Sequence, residues 1–102
     1  MIEMELLASF IRHHHLAEGA SVAPFEVYCF GSALKTRTPR DIDILIVYDS
    51  IRVRVAAVLE LRQLLAESFR RTFNVELDIC LMSSVEAREN SFIRDEGAVR
   101  LV

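Results

Sequence analysis

The chain has 102 residues, of which 15 are acidic and 12 basic, giving a formal net charge of −3, and 52% are hydrophobic. This length predicts a single domain spanning residues 1–102, with enough apolar material for a core. Proteins that coat nucleic acid are normally basic, so this charge argues against that class. The sequence lacks the long apolar run of a membrane span and the basic start of a signal peptide, which predicts a cytoplasmic protein.

The first predicted element is a helix over residues 2–17, in which Leu6, Leu7 and Phe10 supply an apolar stripe. It carries three consecutive histidines at residues 13–15. Adjacent side chains on a helix point about 100° apart, so these three cannot converge on one metal ion. We expect a solvent-exposed role near the helix end, with a substrate contact by one of them as the alternative.

Three apolar segments are predicted strands, at residues 25–30 (FEVYCF), 41–48 (DIDILIVY) and 75–81 (VELDICL). Between the last two, apolar residues recur every three or four positions and predict a long helix over residues 51–71, with Asp49-Ser50 as its cap. Ser83 and Glu86 match a capping box that starts a short helix. A further helical turn over residues 91–96, ended by Gly97, and a strand-like tail complete the chain.

Cys29 and Cys80 each fall within an apolar strand and form no metal-binding pair. This pattern is typical of buried, reduced thiols in a cytosolic protein. A disulfide between neighbouring strands is the alternative that the sequence leaves open.

The second strand opens with two acids, Asp41 and Asp43. Because successive strand side chains point to opposite faces, both carboxylates lie on the same face. Such a pair suits a hard cation such as Mg²⁺ better than it suits a core. Gly31-Ser32 lies one loop upstream, where a bare backbone and a hydroxyl can approach phosphate oxygens.

A third acid, Asp78, lies at the centre of the third strand, on the same face as Glu76. The long helix can serve as a crossover that places this strand beside the second. Asp78 would then join Asp41 and Asp43 in a cluster of carboxylates, whose mutual repulsion a divalent cation would offset.

This arrangement predicts a site for two Mg²⁺ ions and a nucleoside triphosphate, with in-line attack of a hydroxyl at the α-phosphate and release of pyrophosphate. The third carboxylate would help to deprotonate that hydroxyl. The candidate catalytic and metal-binding residues are Asp41, Asp43 and Asp78. The candidate nucleotide-binding residues, which would hold the distal phosphates, are Gly31, Ser32, Lys35, Arg37 and Arg40.

An apolar strand, Gly31-Ser32, a loop, Asp41-x-Asp43 and a later single Asp78 resemble the nucleotidyltransferase superfamily that includes DNA polymerase beta. The short length and the ending FIRDEGAVRLV resemble its small prokaryotic branch, the minimal nucleotidyltransferases. The resemblance covers the chain from about residue 25 onward. It implies the nucleotidyltransferase fold, an α/β (α+β) arrangement of a small mixed β-sheet flanked by helices, with Mg²⁺ and a nucleotide as ligands.

The resemblance implies transfer of a nucleoside monophosphate, foremost AMP from ATP, to a hydroxyl. Family members of this size resemble the MNT antitoxin of HEPN/MNT toxin–antitoxin pairs, whose partner is a helical HEPN-type ribonuclease modified on a tyrosine. The expected partner is therefore such a toxin, or a second copy in a homo-oligomer, rather than a membrane or a nucleic acid. The alternative is a binding module that neutralises its partner by contact and performs no chemistry.

Overall fold

The computed structural model describes the backbone of residues 4–17, 25–31 and 41–101 and the side chains of residues 5–13, 25–31 and 41–101. Within these ranges the chain forms four helices and four strands. Their bounds are α1 Met4–Ala17, β1 Phe25–Phe30, β2 Asp41–Tyr48, α2 Val55–Phe73, β3 Glu76–Ser83, α3 Ser84–Glu89, α4 Phe92–Asp95 and β4 Val99–Arg100.

The four strands form one mixed sheet in the order β3-β2-β1-β4. Strand β1 pairs antiparallel with both β2 and β4, whereas β2 and β3 run parallel. Parallel neighbours need a crossover connection, and α2 supplies it, as the sequence predicted. The expected fold class, a small mixed sheet flanked by helices, is confirmed.

The predicted bounds of β1 and β2 match the structure, but α2 begins later than residue 51. The carboxylate of Asp49 accepts the N–H of Ile51, and its carbonyl accepts the N–H groups of Arg52 and Val53. Asp49 therefore closes a turn between β2 and the helix. The prediction that it caps the helix is wrong, since the N-cap residue is Arg54.

Helices α1 and α2 pack on one face of the sheet, where the hydrophobic core lies. Phe10 of α1 meets Phe69 and Phe73 of α2 with ring centroids 5.3 and 5.5 Å apart. Both contacts have the edge-to-face geometry that aromatic pairs favour. The buried apolar residues of the cluster are Leu7, Ala8, Ile11, Val27, Cys29, Ile42, Ile44, Ile46, Val58, Leu61, Leu65, Phe69, Leu77 and Leu101.

On the opposite face of the sheet, Leu45 and Val47 are buried in the second half of β2. Helix α3 contacts β2 and β3, and the amide of Asn90 contacts the sulfur of Met82, which lies opposite Val47. Phe92 of α4 packs edge-to-face on Phe30 with centroids 5.0 Å apart, and Phe30 lies opposite Asp43 in the β1–β2 pair. The start of β2 carries its acidic side chains on this same face.

The start of α3 and the end of α4 have the residues that the sequence predicted there. The Ser83 hydroxyl accepts the N–H of Glu86, and the Glu86 carboxylate accepts the N–H of Ser83, so the capping box is confirmed. Gly97 follows α4 with a φ of +60°, a left-handed conformation that glycine adopts readily.

Cys29 and Cys80 are both free thiols, on strands that β2 separates. Cys29 is buried as expected, but the expectation of burial is wrong for Cys80, which is exposed. Its strand lies at the edge of the described sheet, and Cys80 points to the face opposite α2. His13 is exposed on α1, and the side chains of His14 and His15 lie outside the described residues.

Among the helices in the described ranges, none combines the length and the apolar character needed to cross a bilayer.

Candidate metal centre

The register of the sheet brings the three predicted aspartates together. Asp43 lies directly opposite Asp78 across the parallel β2–β3 pair, and Asp41 lies two residues from Asp43 on the same face. One carboxylate oxygen from each of the three lies within 4.8 Å of the others. We call this group the Asp41–Asp43–Asp78 cluster.

The cluster is open toward the outer strand. Asp41 and Asp43 are half-buried on the central strand β2, whereas Asp78 is exposed on β3. A ligand can therefore approach the cluster from the β3 side, while the two carboxylates of β2 are held in place by the sheet.

The packing of the acids raises the pKa values of two of them. The pKa of Asp43 lies above its ordinary value of 3.8, first because burial disfavours the charged form and then because the charge of Asp41 repels it. The pKa of Asp78 is raised first by a hydrogen bond to the Asp41 carboxyl, then by desolvation and then by the charges of Asp41, Asp43 and Glu76. A bound cation would relieve this repulsion.

Gly31 directly follows β1 and lies beside the cluster, in a conformation and a position that both favour glycine. Its φ is +79°, which side-chain-bearing residues rarely adopt. A Cβ atom at this position would lie 2.5 Å from Oδ2 and 3.3 Å from Cγ of Asp43. The absence of a side chain at Gly31 therefore leaves the space that the Asp43 carboxylate occupies.

The donor set suits a hard divalent cation. All three groups offer carboxylate oxygens, which Mg²⁺ and Ca²⁺ prefer over nitrogen or sulfur ligands. Mg²⁺ characteristically takes one or two carboxylates plus water and substrate phosphates, and the open β3 side leaves room for these. The residues present therefore fit the expected metal.

The predicted phosphate-binding residues are only partly placed. Gly31 lies beside Asp43. The other four candidates, Ser32, Lys35, Arg37 and Arg40, lie outside the described residues.

Glu76 is a further acid of this region that was not among the candidate residues. It pairs with Asp41 across β2 and β3, and its charge contributes to the raised pKa of Asp78. Strand alternation places Glu76 on the same face as Asp78, but only the register shows that this face continues that of Asp41.

The charges of the cluster also raise the pKa values of both thiols. Burial and then the charge of Asp43 raise the pKa of Cys29 to about 11. The side chain of Cys80 is exposed but partly desolvated by its neighbours, and this desolvation is the first cause of its raised pKa, followed by the charges of Asp43 and Asp78, with Arg62 acting in the opposite direction. The pKa of about 11 keeps Cys29 in the neutral thiol form, which does not attack electrophiles.

Comparison of the chain with protein-family models gave no match, and comparison with curated proteins gave none. What the protein does is therefore inferred from its own residues, foremost the Asp41–Asp43–Asp78 cluster and Gly31.

Proposed function

We propose that this protein is a Mg²⁺-dependent nucleotidyltransferase that moves a nucleoside monophosphate, foremost AMP from ATP, to a hydroxyl acceptor. The observation that carries the proposal is the convergence of Asp41, Asp43 and Asp78 within 4.8 Å beside Gly31. Three carboxylates at the mouth of parallel strands are costly to place together without a cation. The chain order of glycine, paired aspartates and a later aspartate supports the same reaction class.

The positions of the three aspartates indicate the role of each in the proposed reaction. Asp41 and Asp43 would hold the two Mg²⁺ ions, which when bound neutralise and align the triphosphate. Asp78, on the exposed side, would complete the second metal site and accept the proton of the attacking hydroxyl on its carboxylate. The hydroxyl oxygen forms its bond to the α-phosphorus as the bond to the pyrophosphate oxygen breaks.

The distal phosphates would lie toward Gly31 and the residues that follow it, which the sequence predicts to be a loop. Ser32 would donate its hydroxyl to a phosphate oxygen, and Lys35, Arg37 and Arg40 would offset the phosphate charge. The sequence alone supports these four roles.

The acceptor and partner follow from the resemblance to minimal nucleotidyltransferases. We expect a cytoplasmic protein that pairs with a helical HEPN-type toxin and modifies it on a tyrosine hydroxyl, with a homo-oligomer as the alternative assembly. A mass increase of one AMP on that partner, dependent on ATP and Mg²⁺, would support this part of the proposal.

The experiment that tests the reaction is calorimetric titration of each nucleoside triphosphate, first with Mg²⁺ and then with EDTA. We expect one nucleotide to bind only with Mg²⁺, and Asp41→Asn and Asp43→Asn to abolish that binding. Asp49→Asn is the matched control, because it removes one charge at the opposite end of β2 and can still accept the N–H of Ile51. Nucleotide binding that is equally strong in EDTA, or in Asp43→Asn, would contradict the mechanism.

A non-catalytic binding module is the second candidate. Ile51 lies in the turn before α2, and Val55 and Leu59 lie in the first turns of the helix. Their side chains are 92%, 51% and 40% exposed. Exposed apolar side chains of this kind favour contact with another protein. If neutralisation of a partner survives Asp41→Asn and Asp43→Asn, this second function is the correct one.

A further inference from the structure

Strand β3 is the outermost strand of the described sheet on the side of the Asp41–Asp43–Asp78 cluster. It pairs with β2 along one edge, and no strand in the described part of the chain pairs with its other edge. Its eight residues, ELDICLMS, include no proline and no basic residue. An extended edge of this length offers backbone N–H and C=O groups that a further strand can bind.

A groove runs along this edge, between α2 and β3. Its volume is about 510 Å³, enough for several side chains. Leu59 and Ala66 line it on the helix side, and Leu77 and Ile79 on the strand side. The remaining lining residues are Glu60, Arg62, Gln63 and Asp78.

The two faces of the β3 edge differ in chemistry. On the α2 face, the groove combines the apolar side chains of Leu59, Ala66, Leu77 and Ile79 with polar side chains of the helix. On the other face, Glu76 and Asp78 present carboxylates two residues apart. A strand that paired with β3 would alternate its side chains between these two surfaces.

We propose that the outer edge of β3 binds an extended peptide segment as an added strand and presents its hydroxyl side chain to Asp78. The segment would place apolar side chains in the α2–β3 groove. On its other face it would carry a hydroxyl opposite Asp78 and a basic side chain opposite Glu76. Cross-strand neighbours have Cβ atoms about 4.5–5.5 Å apart, close enough for both contacts.

The docked peptide is the acceptor whose hydroxyl receives the nucleoside monophosphate. This assignment rests on the proposed function, whereas the docking of the peptide on β3 is independent of the proposed function. In the transfer step the hydroxyl oxygen bonds to the α-phosphorus, pyrophosphate leaves and the proton passes to Asp78. The charge of the surface decides between occupants. A second copy of β3 would bring its own Glu76 and Asp78 to an already acidic edge, whereas a basic segment offsets that charge.

The docking test uses the peptide Lys-Val-Tyr-Val-Lys-Val, titrated to millimolar concentration into the full ¹⁵N-labelled protein in EDTA. We expect its resonance shifts to concentrate on β3 and the groove. Two analogues carry N-methyl groups on the backbone, one on the three valines and the other on the two lysines and the tyrosine. Alternate N–H groups of a strand point to opposite edges, so only one of these two sets can donate hydrogen bonds to β3. Methylation of that set should weaken binding at least tenfold, and methylation of the other set should leave binding as in the parent peptide.

Two protein variants give a matched comparison. Leu59→Arg places a cation in the groove and should weaken peptide binding at least tenfold. Leu64→Arg changes an equally exposed leucine of the same helix, 36% against 40%, that does not line the groove, and it should leave binding unchanged. Equal effects of the two variants would overturn the proposal.

Three further outcomes would contradict docking on β3: no resonance shift on β3 at millimolar peptide, equal binding of both methylated analogues, or a dimer of the free protein that buries β3.

The transfer of AMP is measured separately, by mass spectrometry of the peptide after incubation with the protein, ATP and Mg²⁺. The same peptide with phenylalanine in place of tyrosine is the blank. Docking without AMP addition, in a protein that binds its nucleotide only with Mg²⁺, would overturn the acceptor assignment and leave both the docking site and the proposed function; absence of that nucleotide binding would overturn the proposed function instead. AMP addition that Leu59→Arg does not slow would overturn the docking site and leave the function.

Discussion

Gly31 is the residue at which conformation and site geometry coincide. Replacing it with alanine should cost about 1–2 kcal/mol, because a Cβ is disfavoured at a φ of +79°. The new atom would also meet Oδ2 of Asp43 and displace the carboxylate. We therefore expect Gly31→Ala to lower the Tm and to remove the rise in Tm that Mg²⁺ gives the parent protein, both measured by thermal unfolding.

Gly97 separates these two effects. It also has a positive φ, +60°, but a Cβ there would have no neighbour within 4 Å. Gly97→Ala should therefore lower the Tm by a similar backbone penalty and keep the full response to Mg²⁺. If both variants keep that response, Gly31 does not shape the metal centre.

The two cysteines should differ sharply in reactivity. Cys29 is buried with a pKa of about 11, whereas Cys80 is exposed on the outer strand. In iodoacetamide at pH 8, we expect the folded protein to gain one carbamidomethyl group, at Cys80, and the urea-unfolded protein to gain two, as measured by peptide mass spectrometry. Modification of Cys29 at the same rate as Cys80 would contradict the packing of β1.

At the scale of single elements, the junction of β3 and α3 depends on the capping box of Ser83 and Glu86. Its two hydrogen bonds are 3.1 and 3.0 Å long. Ser83→Ala removes the hydroxyl that accepts the N–H of Glu86, and should lower the free energy of unfolding by about 1 kcal/mol in urea denaturation. Ser83→Thr keeps a capping hydroxyl and should restore most of the loss; an equal loss in both would assign the effect to packing.

How far the sequence predicts these elements depends on how local their determinants are. The bounds of β1 and β2 and the capping box follow from short patterns of apolar, acidic and hydroxyl residues. The start of α2 does not, because an aspartate after a strand can close a turn as readily as cap a helix, and Asp49 does the former. The opposition of Asp43 and Asp78 required the parallel register, which the crossover length permits but does not fix.

The sequence pattern also does not predict which side chains are exposed at the edge of the sheet. Cys80 lies in an apolar run and reads as buried, yet its strand ends the described sheet and Cys80 is exposed. Strand order is a property of the whole sheet, whereas the burial pattern of a strand is read from its own residues. The groove beside Leu59 was missed for the same reason.

For the molecule as a whole, the acidic cluster couples stability to pH and to metal. Asp43 and Asp78 have pKa values above 3.8 in the folded state, so the metal-free folded protein binds their protons more tightly than the unfolded chain does. The contribution of these groups therefore favours folding below pH 4 and is lost as the pH rises through their folded pKa values. At neutral pH the metal-free cluster is a source of strain.

Asp43→Asn should therefore stabilise the metal-free protein at pH 7, by an amount on the order of 1 kcal/mol, because it removes one charge from the cluster. For a domain of this size, that corresponds to a rise in Tm of about 4–8 °C. The advantage should shrink as the pH falls toward 4, because Asp43 and Asp78 of the parent protein, whose pKa values are raised, take up protons. The measurement is thermal unfolding in EDTA across this pH range, with Asp49→Asn as the control for loss of one charge.

Addition of Mg²⁺ should then make the parent protein more stable than Asp43→Asn, which reverses their order of stability in EDTA. A ligand that binds only the folded state stabilises it by about 2.7 kcal/mol at a concentration one hundred times its Kd. The parent protein should gain this stabilisation in saturating Mg²⁺, whereas Asp43→Asn, with the cluster reduced to two carboxylates, should gain little. If Asp43→Asn is less stable than the parent in EDTA at pH 7, the three carboxylates do not strain the metal-free fold. A gain from Mg²⁺ that is equal in both proteins would place the cation elsewhere than between β2 and β3.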